Sequence, residues 1–300
     1  MCRIFAFRSR VDLKVQRSLV KAENALQLQS RKHPHGWGIA YYLSGQSEPH
    51  VIKSVESAFD DDRFARVSTF LTSHAVIAHV RKATVGKLGQ ENTHPFSWNG
   101  WTFCHNGTIF GFEDIKPLLL GRVHPRFHDR IWGDTDSELF FYLLLSELER
   151  AGYDVETATG PIPEDLWRRF GELLGWVRDL SRETEADERE SMMNFVLTNG
   201  SVMFAGRFNG GLSFSTQKVR CADADVCPVK NKICFGPRPI GVSHTHLLLA
   251  SDPTSPDDVW EEIPNRGMLV LRDDFVLDVR PFEGVAGGPA WFASDYASAD

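Results

Sequence analysis

Met1-Cys2-Arg3-Ile4-Phe5-Ala6-Phe7 opens the chain, and its reading decides what the rest can be. Ile4 and Ala6 fall on one face with larger neighbours on the other, which predicts a rigid strand over residues 2–8. The cysteine ahead of that strand has two readings. It is a small buried hydrophobe, or, once Met1 is removed as the small Cys2 side chain permits, it carries a thiol and a free α-amine on one residue. An α-amine titrates near ~8 and a thiol near ~8.5, so the two exchange a proton at neutral pH without a histidine.

Working outward, Val11 to about Ser30 places Leu19, Ala22, Ala25 and Leu26 at helical spacing and predicts a helix. His33-Pro34-His35-Gly36-Trp37-Gly38 reads as a turn feeding a strand to Tyr42. Its glycines imply close approach by another backbone, and His33 and His35 are expected as solvent-exposed turn residues. A strand over 51–56 and a helix over 58–71 lead to the apolar strand His74–Arg81. An arginine ending a buried strand needs an ion-pair partner or a ligand.

Residues 86–99 read as a loop holding Glu91-Asn92-Thr93-His94-Pro95-Phe96. Strand Trp101–Cys104 then runs into His105-Asn106-Gly107-Thr108. Asn-Gly between apolar runs predicts a hairpin turn. An asparagine amide and a neighbouring glycine N–H pointing the same way also form a two-donor oxyanion hole, and a tight turn would hold them rigidly. Asn199–Gly200 lacks comparable surroundings and reads as an ordinary hairpin.

Gly133-Asp134-Thr135-Asp136-Ser137-Glu138 before the apolar run Leu139–Leu145 is a helix start with an acidic first turn. Capping explains one aspartate and leaves the other over. A second amphipathic helix is expected over 161–190, its charged Arg182–Glu190 end solvated. From Met192 onward the pattern turns to strands, at 195–197, 202–208, 212–215, 246–251, 268–271 and 276–279. No linker or repeat interrupts the chain, so a single domain over 1–285 is expected, with a flexible tail over 286–300.

The 300 residues are 42% hydrophobic with a net charge of −7, and there is neither a basic stripe nor a long apolar run. Nucleic acid and membrane are therefore not expected partners, and a cytoplasmic location is expected. The five cysteines, Cys2, Cys104, Cys221, Cys227 and Cys234, form no disulfide framework or common zinc spacing. The pair His244 and His246 on one strand face is likewise not read as ligands. Neither metal nor cofactor is expected.

Taken together, Cys2, Arg81, the Asn106–Gly107 pair and Asp136 describe a site for a γ-glutamyl amide. The motifs Cys2, His79-Val80-Arg81-Lys82-Ala83-Thr84, Asn92-Thr93-His94-Pro95-Phe96, His105-Asn106-Gly107 and Thr135-Asp136-Ser137-Glu138 resemble, in order and spacing over residues 2–145, those of class II glutamine amidotransferase domains, which are N-terminal-nucleophile hydrolases. Ser251-Asp252-Pro253 and Trp260–Pro264 resemble the stand-alone members. The resemblance implies an α+β, four-layer αββα sandwich of two antiparallel sheets. It also implies glutamine hydrolysis through a γ-glutamyl thioester on Cys2. Asn106 and Gly107 would form the oxyanion hole, Arg81 and Asp136 would bind the substrate carboxylate and ammonium, Thr84 would line the pocket, and His94 and His105 would support it. Arg3 and Lys82 depart from residues common in synthase-linked members, which bears on acceptor chemistry and ammonia handling more than on the thiol.

With no synthase domain recognisable in the chain, the expected activity is that of a stand-alone γ-glutamyl amide hydrolase. Two alternatives stand beside it: hydrolysis of a larger γ-glutamyl conjugate, and a non-catalytic glutamine-binding subunit of a synthase complex. The expected partners are a small γ-glutamyl substrate and, if ammonia is transferred, an accepting synthase subunit.

Overall fold

Strand β1 (Arg3–Lys14) lies at the centre of a seven-stranded sheet, and this placement organises the molecule. The structure is a computed structural model describing residues 2–158, 160–184, 190–221, 227 and 232–283. The other strands are β2 (Trp37–Tyr42), β3 (His50–Ser54), β4 (Thr72–Val80), β5 (Phe96–Trp98), β6 (Trp101–Thr108), β7 (Met192–Thr198), β8 (Met203–Arg207), β9 (Ser213–Lys218), β10 (His246–Ala250), β11 (Asp258–Glu262), β12 (Gly267–Leu271) and β13 (Leu277–Pro281). They form two antiparallel sheets, ordered β11-β9-β10-β1-β4-β2-β3 and β13-β12-β8-β7-β6-β5. In the first, Phe5 faces Ala78 of β4 on one side and Ala250 of β10 on the other.

The period-2 pattern in β1 sets the layers. Ile4 and Ala6, with Ala40 and Ile77, pack inward on Cys104, Val196, Met203 and Leu269 of the second sheet. Phe5 and Phe7 face the opposite way, onto a layer containing α1 (Leu26–Gln29) and α2 (Asp62–Phe70). On the far side, Trp101, Phe103, Phe195 and Phe204 pack under α3 (Phe112–Arg122), α4 (Asp136–Arg150) and α5 (Leu166–Glu183). The result is helix, sheet, sheet, helix. Each fully buried large apolar side chain contributes about 1.5–3 kcal/mol, and Leu139–Leu145 of α4 is buried on every face, as its unbroken apolar run requires.

Four expectations are corrected. Val11–Lys14 is not helical: beyond an irregularity after Arg8, Leu13 and Lys14 pair with Ser73 and Thr72. The apolar residues that follow are buried by a π turn at Arg17–Lys21, α1 and a 3-10 turn at Ser30–Lys32. Asn106 and Gly107 are not a turn but lie inside β6, opposite Asn194 and Met193 of β7. His33 is buried, and burial lowers its pKa to about 4; His35 is half-buried and its Nδ1 accepts from Ala83 N at 3.0 Å. Finally, β5 lies where a loop was expected. Asn199–Gly200 does turn the chain, with Gly200 at φ 81°. Residues 185–189 and the expected tail 286–300 lie outside the described residues.

Candidate active site

β1 brings Cys2 to the edge of a pocket that Arg81, Thr84, His94, His105, Gly107 and Asp136 also line. Seven of the eight residues singled out in the sequence thus share one cavity, and Asn106 stands just outside its lining at 3% exposure. They arrive from separate elements. Cys2 precedes β1, Arg81 and Thr84 follow β4, His105 and Gly107 belong to β6, and Asp136 opens α4.

Among the described residues, the Cys2 thiol hydrogen-bonds to main chain alone. Its Sγ accepts from Lys82 N at 3.2 Å and lies 3.5 Å from Lys82 O. Burial pushes the thiol pKa up, opposed by the Lys82 N–H and the Arg81 charge. The thiol therefore rests protonated at neutral pH.

Arg81 is 3% exposed, and burial lowers its pKa. Its guanidinium donates to Lys87 O at 3.1 Å and Val85 O at 3.0 Å. No carboxylate among the described residues forms an ion pair with it, so the structural salt bridge is not its explanation. A buried guanidinium has five N–H donors, and two carbonyls leave capacity for an anionic ligand.

Thr135 caps α4 by accepting from Glu138 N at 3.2 Å. That leaves both aspartates to be explained. Asp134 is tied to Asn92, which donates to its Oδ1 and accepts from its N–H. Asp136 at the first helical position accepts from Ile109 N at 2.8 Å, joining the helix to the end of β6. Its carboxylate also suits the positive end of the helix dipole.

Gly107 is required by crowding. A Cβ there would lie 1.8 Å from Met192 O and 2.5 Å from His105 Nε2. His105 Nε2 is 3.1 Å from the same carbonyl, and its Nδ1 is 2.9 Å from Ser137 Oγ. Because a carbonyl only accepts, a neutral ring carries its proton on Nε2 and takes the Ser137 hydroxyl proton at Nδ1; burial lowers the ring's pKa and the Asp136 charge opposes that. Ser137 also lies 3.1 Å from Asp136 Oδ1. His94 is buried with no hydrogen-bond partner among the described residues at either ring nitrogen, 4.2 Å centroid to centroid from His79. Thr84 stands at the mouth, 3.0 Å from Thr108 Oγ1.

Sequence reasoning missed Ser251 as a site residue. Its Oγ accepts from Ile4 N at 3.0 Å and from Asn106 Nδ2 at 2.9 Å. Its signal was Ser251-Asp252-Pro253, which no spacing rule marks as functional. Asp252 meanwhile pairs with Arg3, whose guanidinium donates to Cys2 O at 3.0 Å. Among the described residues, no group of three or more His, Cys, Asp or Glu is arranged to hold a metal, and no helix is long and apolar enough to cross a membrane.

A family model described as class-II glutamine amidotransferases matches residues 1–285. The chain belongs to that family. It is 30% identical over 302 residues to the "Probable glutamine amidotransferase DUG3" of Saccharomyces cerevisiae, across 92% of this chain and 83% of the relative. It is 25% identical over 243 residues to the "Gamma-glutamyl-hercynylcysteine sulfoxide hydrolase" of Mycolicibacterium smegmatis, across 81% of this chain and 79% of the relative. Among solved structures, a glutamine aminotransferase class-II domain protein from Silicibacter pomeroyi superposes with a TM-score of 0.61 at 20% identity, covering 94% of this chain and 99% of that one. That similarity shows the shared fold of this amidotransferase family.

Proposed function

We propose that this class II amidotransferase hydrolyses a γ-glutamyl amide through a thioester on Cys2, after removal of Met1. The observation that carries the reading is that, among the described residues, the Cys2 thiol hydrogen-bonds only to the Lys82 main chain and to no histidine. A protonated, buried thiol needs a base at the moment of attack, and the α-amine of the same residue supplies one. The sulfur attacks the γ-carbonyl carbon while its proton passes to that amine. The carbonyl oxygen gains charge against the Asn106 amide and the Gly107 N–H. Collapse breaks the C–N bond, the leaving amine takes the proton, and water then cleaves the thioester to release glutamate. Arg81 binds the substrate α-carboxylate and Asp136 its α-ammonium. Cys2→Ala should abolish glutamate release from every γ-glutamyl amide the protein accepts; retained turnover overturns the proposal.

A groove of about 760 Å³ favours a second reading, in which the leaving amine is larger than ammonia. It shares Lys82, Thr84 and Val85 with the pocket and continues along Ile109, Phe112 and Met192. The name of the M. smegmatis relative also describes a γ-glutamyl compound with a bulky leaving group. A kcat/KM higher for bulky γ-glutamyl amides than for glutamine supports this reading; the reverse supports glutamine itself.

A further inference from the structure

Asn106 lies in the second sheet and Cys2 just ahead of β1 in the first, and one hydroxyl joins Asn106 to Ile4, two residues past Cys2. Ser251 follows β10 in the first sheet, where its N–H donates to Ile4 O at 3.0 Å and its Oγ accepts from Ile4 N at 3.0 Å. Those two bonds fix the backbone two residues beyond the nucleophile. The same Oγ accepts from Asn106 Nδ2, which belongs to β6 in the second sheet. On β6 the alternation puts Asn106 on the inter-sheet face with Cys104, and His105 on the helix face beside Ser137. Among the described residues, Asn106 Oδ1 is buried with no hydrogen-bond partner and Ser251 is the one hydrogen-bond partner of that side chain.

A carboxamide rotates about its Cβ–Cγ bond unless something holds its plane, since that torsion is broad. An oxyanion donor must already be aimed when charge develops, because reorienting it then forfeits the gain. We infer that Ser251 is a positioning residue for the reaction: its hydroxyl fixes the plane of the Asn106 amide relative to Cys2. This rests on the thioester reading above. With one N–H bound to Ser251, the amide keeps its second N–H for the carbonyl oxygen. The amide turned by 180° is served equally, with Ser251 donating to Oδ1 and both N–H bonds free. In either orientation the plane is set by the atom that holds Ile4.

Two reactions of the same thiol separate aiming the amide from placing the sulfur. Alkylation of Cys2 by iodoacetamide displaces iodide at an sp³ carbon and forms no oxyanion, whereas acyl transfer from a γ-glutamyl amide does. Ser251→Ala should lower kcat for γ-glutamyl amide hydrolysis by on the order of tenfold, short of the ~10²–10³-fold cost of losing an oxyanion donor outright. KM and the alkylation rate should stay within about twofold. Asn106→Ala/Ser251→Ala should be no slower than Asn106→Ala, because there is no amide left to aim. Equal losses in both reactions, or additive losses in the double variant, overturn the assignment in favour of a purely structural serine. Should Ser251→Ala not fold, Ser251→Thr keeps the hydroxyl; a tenfold loss of hydrolysis with normal alkylation in that variant also overturns it. Absence of hydrolysis in the unmodified protein, with Cys2 still alkylated, counts against the thioester reading instead.

Discussion

Cys2 Sγ accepts a hydrogen bond from the backbone N–H of Lys82 at 3.2 Å. That bond favours a thiolate, but burial outweighs it and the thiol pKa is raised. Turnover should therefore depend on the α-amine of Cys2 more than on any histidine. A variant that keeps an additional residue ahead of Cys2 should lose kcat by roughly 10²–10⁴-fold, the usual range for a missing general base. Intact mass to confirm the retained residue and glutamate release to measure the rate are the checks.

Asp136 and Thr135 are adjacent, and substitutions at the two should differ in kind. Asp136→Asn keeps an acceptor for Ile109 N but removes the carboxylate, so KM for a γ-glutamyl amide should rise at least about tenfold, roughly the 1.4 kcal/mol or more expected of a charged hydrogen bond. Thr135→Ala deletes the cap on Glu138 N and should cost about 1 kcal/mol of stability, with KM little changed. Steady-state kinetics and denaturant unfolding of the two variants together check both.

Gly107→Ala should fail structurally before it fails catalytically. Its Cβ would collide with Met192 O on the neighbouring strand, and forcing such overpacking costs typically ~1–3 kcal/mol. The expected result is a lowered melting temperature together with loss of turnover. Gly121, where an added Cβ meets no atom of the described residues within 4 Å, serves as the control, because Gly121→Ala within α3 should be neutral or stabilising.

Buried neutral histidines should make the fold acid-sensitive. Burial lowers His33 to about 4, and His79 and His246 to about 3, against about 6.5 in the unfolded chain. The unfolded state then binds more protons as pH falls below about 6.5, and stability drops by about 1.4 kcal/mol per pH unit for each such group until its folded pKa is reached. Unfolding free energies at pH 7.5, 6 and 5 should fall in that order. His246→Gln, on β10, should flatten the slope by about one proton.

The sequence carried the layers more readily than the details. Ile4 against Phe5 and the apolar run of α4 specify their faces locally, and each is buried as its period demands. Val11–Lys14 misled because its partners, Thr72 and Ser73, are some sixty positions away, and helical spacing competes only with what lies nearby. Asn106–Gly107 carried the chemistry of a turn, yet the deciding contact is a carbonyl from residue 192 that no local rule anticipates. Ser251 was hidden for the same reason, since its importance lies in two bonds to residues 145 and 247 positions away. Arg81 was legible because a charge at the end of an apolar strand is anomalous wherever its neighbours come from.

The central place of β1 also has a consequence for biosynthesis. Strand β1 is flanked on one side by β4 and on the other by β10, which ends at residue 250. Until that late strand is made, Cys2 lacks half of the sheet around it, and Ile4 lacks the serine that holds it. Pairing across so long a stretch is slow to form, so the segment holding Cys2 waits for its full set of neighbours until all the chain between β1 and β10 has been made.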